Sequence, residues 1–119
     1  MSEPVPNLHQ PRMSEIRRAV CDYYGLSEID LLSERRFRKI SRPRQIAMWL
    51  AKNMTTRSFP EIARQLRRND HTTIMYGVQA IDNLIERQPE TIVDLHAIKR
   101  RIHNRVMLRE ALEQSMAAA

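Results

Sequence analysis

Residues 58–85 read SFPEIARQLRRNDHTTIMYGVQAIDNLI, and their punctuation decides the fold. Ser58 followed by Glu61 predicts a capping box, in which hydroxyl and carboxylate each take a backbone N–H that the helix start leaves unpaired. It opens a short helix from Phe59 to about Arg67, with Ile62 and Leu66 facing inward. Asp70 opens a second helix, whose Ile74, Val78, Ile81 and Ile85 fall on one stripe of a 3.6-residue repeat. Pro89 stops it. A short helix, a few polar residues and a longer helix make the spacing of a helix-turn-helix.

Helices are expected on both sides of this pair. Upstream, Ser14 caps a first helix carrying Ile16, Ala19, Val20 and Tyr23, with Gly25 as its stop. Ser27 starts a second helix that ends near Leu32, and residues 33–41, SERRFRKIS, read as a loop. A third helix is expected from Ser41, with Pro43 in its first turn, where the missing N–H costs nothing. It buries Ile46, Trp49, Leu50 and Met54. Downstream, a last helix runs from about Thr91 towards Ser115, with Leu95, Ile98, Ile102 and Leu112 roughly on one face. No segment alternates with period two for long enough to make a strand. The expectation is an all-α fold of about six helices. A helix-turn-helix domain spans residues 13–90, and a C-terminal helix with a frayed tail spans 91–119. Residues 1–12 contain Pro4, Pro6 and Pro11 and read as a disordered arm.

At 119 residues and 42% hydrophobic, the chain has the size and apolar content of one domain with a core. Gly25 and Gly77 are the only glycines, which excludes Gly-rich loops that cradle phosphates, and no G-x-x-x-x-G-K-[ST] occurs. Neither a nucleotide nor another cofactor is therefore expected. Gly77, inside the last helix of the pair, points to close helix packing. Cys21 has no partner for an internal disulfide and reads as a buried thiol in a reducing compartment. His9, His71, His96 and His103 lack zinc-like spacing, so neither a metal site nor an enzyme is expected. The chain has no long uncharged apolar run and no signal-peptide core. The expected location is the cytoplasm, associated with the nucleoid and not with a membrane.

Charge narrows the partner. The net charge is +6, carried mostly by arginine, whose planar fork suits phosphate and guanine. Arg35–Arg44 reads RRFRKISRPR, six basic residues in ten with no acid. Like charges at this density repel one another unless an anion neutralises them. An Arg-rich loop can track a duplex backbone or enter the narrow minor groove, and Arg57, Arg64, Arg67 and Arg68 add charge nearby. At the front of the second helix, Asp70 can accept from cytosine N4, Thr72 and Thr73 can bond to bases or pack on thymine methyl groups, and His71 can donate or accept. A plainer reading makes Asp70 an N-cap and the threonines solvated first-turn residues. The two overlap, because a cap can also touch a base. Double-stranded DNA is the expected partner.

With these residues in order, the stretch from Ile16 to Ile85 resembles the C-terminal DNA-binding domain of the bacterial chromosomal replication initiator DnaA. DYYG (22–25), DLLSERR (30–36), SRPRQIAM (41–48), SFPEIA (58–63) and DHTTI (70–74) carry the resemblance. It implies a Trp-repressor-like helix-turn-helix fold and monomeric binding of a short, non-palindromic duplex box. It further implies that Arg36 enters the minor groove and that Arg44 and Gln45 contact the DNA backbone. Pro60 would lie beside a phosphate, and Asp70, His71, Thr72 and Thr73 would read bases in the major groove. Arg35, Arg38, Lys39, Arg42, Arg68 and Asn69 are further residues expected along the backbone. The family has Gly and then Arg before DHTT, where this chain has Arg67, Arg68 and Asn69. Asn69 is expected to take the left-handed turn conformation, and Arg68 to supply the guanidinium from one position back. The expected function is sequence-specific binding at DnaA-box-like sites, regulating replication initiation or transcription. One alternative is a helical protein–protein interaction module; another is a fragment of a full-length initiator. The chain is expected to be a monomer, or a weak dimer through its C-terminal helix.

Overall fold

The computed structural model describes residues 10–118. Among them the regular elements are all α-helices: α1 (Met13–Tyr24), α2 (Glu28–Leu32), α3 (Arg38–Met54), α4 (Phe59–Gln65), α5 (His71–Arg87) and α6 (Thr91–Ala117). α3 is the spine, with α1, α2, α4 and α5 packed around it, while α6 lies mainly on α1. The periodic stripes meet in one core. Ile16, Val20, Leu31, Leu50, Ile62, Leu66, Ile74, Ile81, Ile98 and Ile102 are fully buried, each contributing about 1.5–3 kcal/mol by leaving water. Val78 and Ile85, expected on the α5 stripe, are half-buried at its edge. Gly77 lets α5 pack tightly on α3: a Cβ there would overlap the Met48 thioether. Trp49 belongs to this core, its Nε1 donating to Asp82 Oδ1 at 2.9 Å. Cys21 is buried, and its thiol is pushed up to about 11 by burial and then by Glu28 and Asp22, so it stays protonated and inert.

Several boundaries differ from the sequence reading, each for a local reason. α1 is capped by Arg12, not Ser14: the Arg12 N–H donates to Glu15 Oε1 at 2.7 Å. It stops at Gly25, which takes φ 68° and lets the Leu26 N–H reach the Cys21 carbonyl at 2.9 Å. α3 begins at Arg38 and not at Ser41, because the Phe37 carbonyl accepts from both Ile40 (2.8 Å) and Ser41 (2.7 Å). The loop is therefore shorter than residues 33–41, and Pro43 lies inside the helix and not in its first turn. Its missing N–H leaves the carbonyl of Lys39 without a helical donor, tolerable because Lys39 is at the exposed end.

The expected disordered arm, residues 1–12, lies outside the described residues up to position 9. Its last three residues are attached to the fold. Pro11 is buried and its carbonyl accepts from Arg57 Nη1 at 3.1 Å, while Gln10 Nε2 donates to Thr56 Oγ1 at 3.1 Å. At the other end, Leu95, Ile98, Ile102 and Val106 are the buried face of α6. Leu112, expected on that face, is 55% exposed. Arg109 ties this end to α1, with Nε and Nη2 donating to the two Glu15 carboxylate oxygens at 2.9 and 3.1 Å, and Glu113 accepts from Arg12 Nη2 at 3.0 Å on the exposed side. Among the described residues no helix is long and apolar enough to cross a membrane.

Candidate nucleic-acid interface

The turn between α4 and α5 is built almost entirely from backbone bonds. Ser58 Oγ accepts from the Glu61 N–H at 3.3 Å and donates to Glu61 Oε1 at 3.1 Å. Glu61 thus holds the Ser58 hydroxyl, where a reciprocal capping box would have it take the Ser58 N–H. Pro60 follows in the first turn of α4, exposed and with no N–H to satisfy. At the other end the Arg67 N–H reaches the Arg64 carbonyl (3.2 Å) and the Arg68 N–H reaches the Ala63 carbonyl (2.8 Å). This pair of bonds is a Schellman motif and requires a left-handed residue between them. That residue is Arg67, with φ 55°, and not Asn69 as the sequence suggests. A side chain in this conformation costs roughly 1 kcal/mol.

Asp70 then caps α5. Its carboxylate accepts from the Thr72 N–H at 2.9 Å, and its carbonyl from the Thr73 N–H at 3.1 Å. The bonds from Thr72 hold the carboxyl below the usual carboxylate range. The capping role leaves the residue accessible: Asp70, His71 and Thr73 are exposed and Thr72 is half-buried. His71 Nδ1 lies 3.6 Å from Asp70 Oδ1. Capping and presentation to a partner thus coexist in one side chain.

The basic segment splits into two groups. Arg44 is buried, with Nε donating to the Leu31 carbonyl (2.8 Å), Nη1 to Arg35 (2.9 Å), and Nη2 to Ser33 (2.7 Å) and Asp30 (3.4 Å). Arg68 bonds the same segment from the opposite side, Nη2 reaching Leu32 (2.8 Å) and Ser33 (2.6 Å) while Nε reaches Leu66 (3.1 Å). The carbonyls at the end of α2 are those a helix terminus leaves unpaired, and they carry its negative dipole end. Two guanidinium groups cap them. Burial pushes both arginines' pKa down, Arg44 also feeling the charge of Arg68, but neither approaches deprotonation. Arg44 and Arg68, expected along the DNA backbone, thus spend these donors on the protein's own carbonyls, while Arg68 is only half-buried and both residues also border the open cleft beside α5.

The second group faces solvent. Arg35, Arg36, Arg38 and Lys39 are all exposed. Arg35 makes one long contact, 3.8 Å to Asp30 Oδ1. Arg42 is half-buried, donates to Gln45 Oε1 at 3.3 Å, and is pushed down by burial, then by Arg38 and Arg87. An open cleft of about 650 Å³ is lined by Glu34, Arg36, Ser41, Arg44, Gln45 and Met48 from the loop and α3, and by Arg67, Arg68, Asn69, Asp70, Thr73, Tyr76 and Gly77 from the turn and α5. Arg36 and the α5 front therefore open onto one space. His71, Thr72, Arg35, Arg38, Lys39, Arg42 and Pro60 are outside that lining. Of the polar lining residues, Glu34, Ser41, Arg67 and Tyr76 had no site role in the sequence reading. Arg67 was counted only as nearby charge. Tyr76, 73% exposed, sits one helical turn beyond Thr72 and Thr73 and off the isoleucine stripe; that phase was its available signal.

What folds this way, with a capped short helix, a Schellman turn and a longer helix showing its polar first turn to solvent, is a helix-turn-helix domain. The family model described as bacterial dnaA protein helix-turn-helix matches residues 13–81, more than half of the sequence. The chain belongs to that family. It is 47% identical over 90 residues to the chromosomal replication initiator protein DnaA of Caulobacter sp. (strain K31), covering 76% of this chain and 18% of that protein. With the protein of the same name from Brucella abortus biovar 1 (strain 9-941) it shares 45% over 93 residues, covering 78% and 19%. The chain thus spans about a fifth of the length of these relatives. A solved structure described as a DNA replication initiation factor matches with a TM-score of 0.70 at 26% identity, covering 79% of this chain and 29% of that one.

Proposed function

We propose that this chain binds double-stranded DNA sequence-specifically, at sites resembling the box of the DnaA family, and thereby modulates replication initiation or transcription. The observation that carries the reading is the shared opening of Arg36 and the α5 front, Asp70 and Thr73, onto one cleft. α5 lays its first turn in the major groove, where Asp70, His71, Thr72 and Thr73 meet base edges. Tyr76 extends that surface by a turn. Arg36 enters the neighbouring minor groove, where the potential is more negative. Arg35, Arg38, Lys39 and Arg42 supply phosphate contacts, with Gln45, Asn69 and Pro60 beside them; Arg44 and Arg68 hold the loop that carries Arg36.

Selection of bound sites from a random duplex library tests this reading. A single enriched, non-palindromic site is the supporting result, and a library left unenriched overturns it. Salt dependence adds an independent check. With Arg35, Arg38, Lys39 and Arg42 as the phosphate partners, log K falls against log salt with a slope of about −3.6. A slope near zero contradicts the electrostatic part.

A further inference from the structure

Phe37 stands where the loop meets α3, and it is 69% exposed. Among the described residues, no aromatic ring or cation packs on it. Single exposed apolar residues are ordinary on protein surfaces. This one is set apart by its company and its rigidity. Arg35, Arg36, Arg38 and Lys39 flank it, all exposed, and their field favours a polyanion at the ring. Its backbone is held from both sides: its own carbonyl accepts from Ile40 (2.8 Å) and Ser41 (2.7 Å), and Arg44 Nη1 holds the Arg35 carbonyl at 2.9 Å. An exposed apolar ring on a held backbone, set among cations, matches a partner that is charged outside and flat and apolar within. A stacked duplex has that construction, phosphates outside and base faces behind them.

We propose that Phe37 is a wedge: in the complex its ring follows Arg36 into the minor groove, slips between two stacked base pairs, and kinks the duplex. The proposal rests on the duplex-binding reading above. Apolar side chains inserted from the minor groove bend DNA towards the major groove. Pyrimidine–purine steps unstack most easily, so the wedge adds a preference for such a step without a hydrogen bond to either base.

The test uses the site enriched from the random library, placed in a duplex with donor and acceptor dyes at its ends. A second copy carries 2-aminopurine at the step facing Arg36. The parent chain is expected to draw the dyes together, as a bend of about 20–90° requires, and to brighten the 2-aminopurine. Phe37→Ala is expected to unfold at the parent temperature and still bind, within about tenfold of the parent, while leaving the duplex straight and dark. Phe37→Leu is expected to restore part of the bend. A Phe37→Ala complex as bent and bright as the parent's overturns the wedge alone. Loss of binding to phosphatidylglycerol vesicles with bending unchanged assigns the ring to a lipid surface and also overturns it. If the parent enriches no site, the duplex-binding reading falls and takes the wedge with it.

Discussion

Arg44 with Arg68, and Arg35 to Lys39, are two regions of one basic belt that do opposite work. The first pair is turned inward and capped onto the carbonyls of Asp30, Leu31, Leu32, Ser33 and Arg35. The second region leaves its cations in solvent. The difference lies in what the backbone offers nearby. Where α2 ends, unpaired carbonyls with a negative dipole outcompete water for a guanidinium. From Arg35 to Lys39 the side chains stand in solvent, and charge accumulates that an external anion can neutralise. The inner pair makes the outer group useful, because a loop held at both edges presents Arg36 in one place.

The sharpest way to break this comparison is Arg44→Ala. It takes the guanidinium donor from the Leu31 and Arg35 carbonyls, and at about 1–3 kcal/mol for each unsatisfied group the expected loss of folding stability, read by urea unfolding, is about 3–5 kcal/mol. Arg44→Lys recovers little, since one ammonium cannot span the same fork. Arg68→Ala is next, with about 1–3 kcal/mol lost, because its site is partly open to water. By contrast, His71→Ala and Thr73→Ala are expected to leave unfolding unchanged and to lose about 1–3 kcal/mol of discrimination between enriched and random duplex. Equal losses on both duplexes would reduce these residues to phosphate contacts.

Acid sharpens the comparison through a third arginine site. Burial pushes the Glu15 carboxyl up, but the hydrogen bonds from Arg109 and the Arg12 N–H and the charges of both arginines outweigh it. The carboxyl ends below its ordinary 4.5. A carboxyl depressed by folding contributes stability that is fully present above pH 4.5 and lost as pH falls through the folded value. Unfolding measured against pH should steepen there for the parent and flatten in Glu15→Gln. Smallest of all, Leu112→Ala changes stability by no more than about 0.5 kcal/mol, because its side chain is mostly in solvent. A larger effect, growing with protein concentration, would mark α6 as a contact between copies.

Most of the fold was legible because apolar periodicity and caps agree at the helices that matter. Ser27 and Asp70 cap where the sequence puts them, and Ile74, Ile81, Ile98 and Ile102 face inward as their spacing predicts. The site was legible in part. Asp70 to Thr73 announced themselves by being polar at the start of an apolar helix. Arg44 did not, because its fate depends on helix phase: with α3 starting at Arg38, Ile40, Pro43, Arg44 and Ala47 share the buried face. Starting the helix at Ser41 hides that repeat, and Arg44 then looks like one more exposed charge. Arg67 was hidden for another reason. Its left-handed conformation is imposed by the Schellman bonds and not favoured by its own side chain.

The direct test sets Arg36→Ala beside Arg44→Ala, with thermal unfolding and duplex anisotropy measured on the same samples. The account predicts that Arg36→Ala melts with the parent but binds the enriched duplex more weakly, and that Arg44→Ala melts well below it. An Arg44→Ala protein that melts with the parent yet loses duplex binding would return Arg44 to the phosphates and contradict the division of the belt.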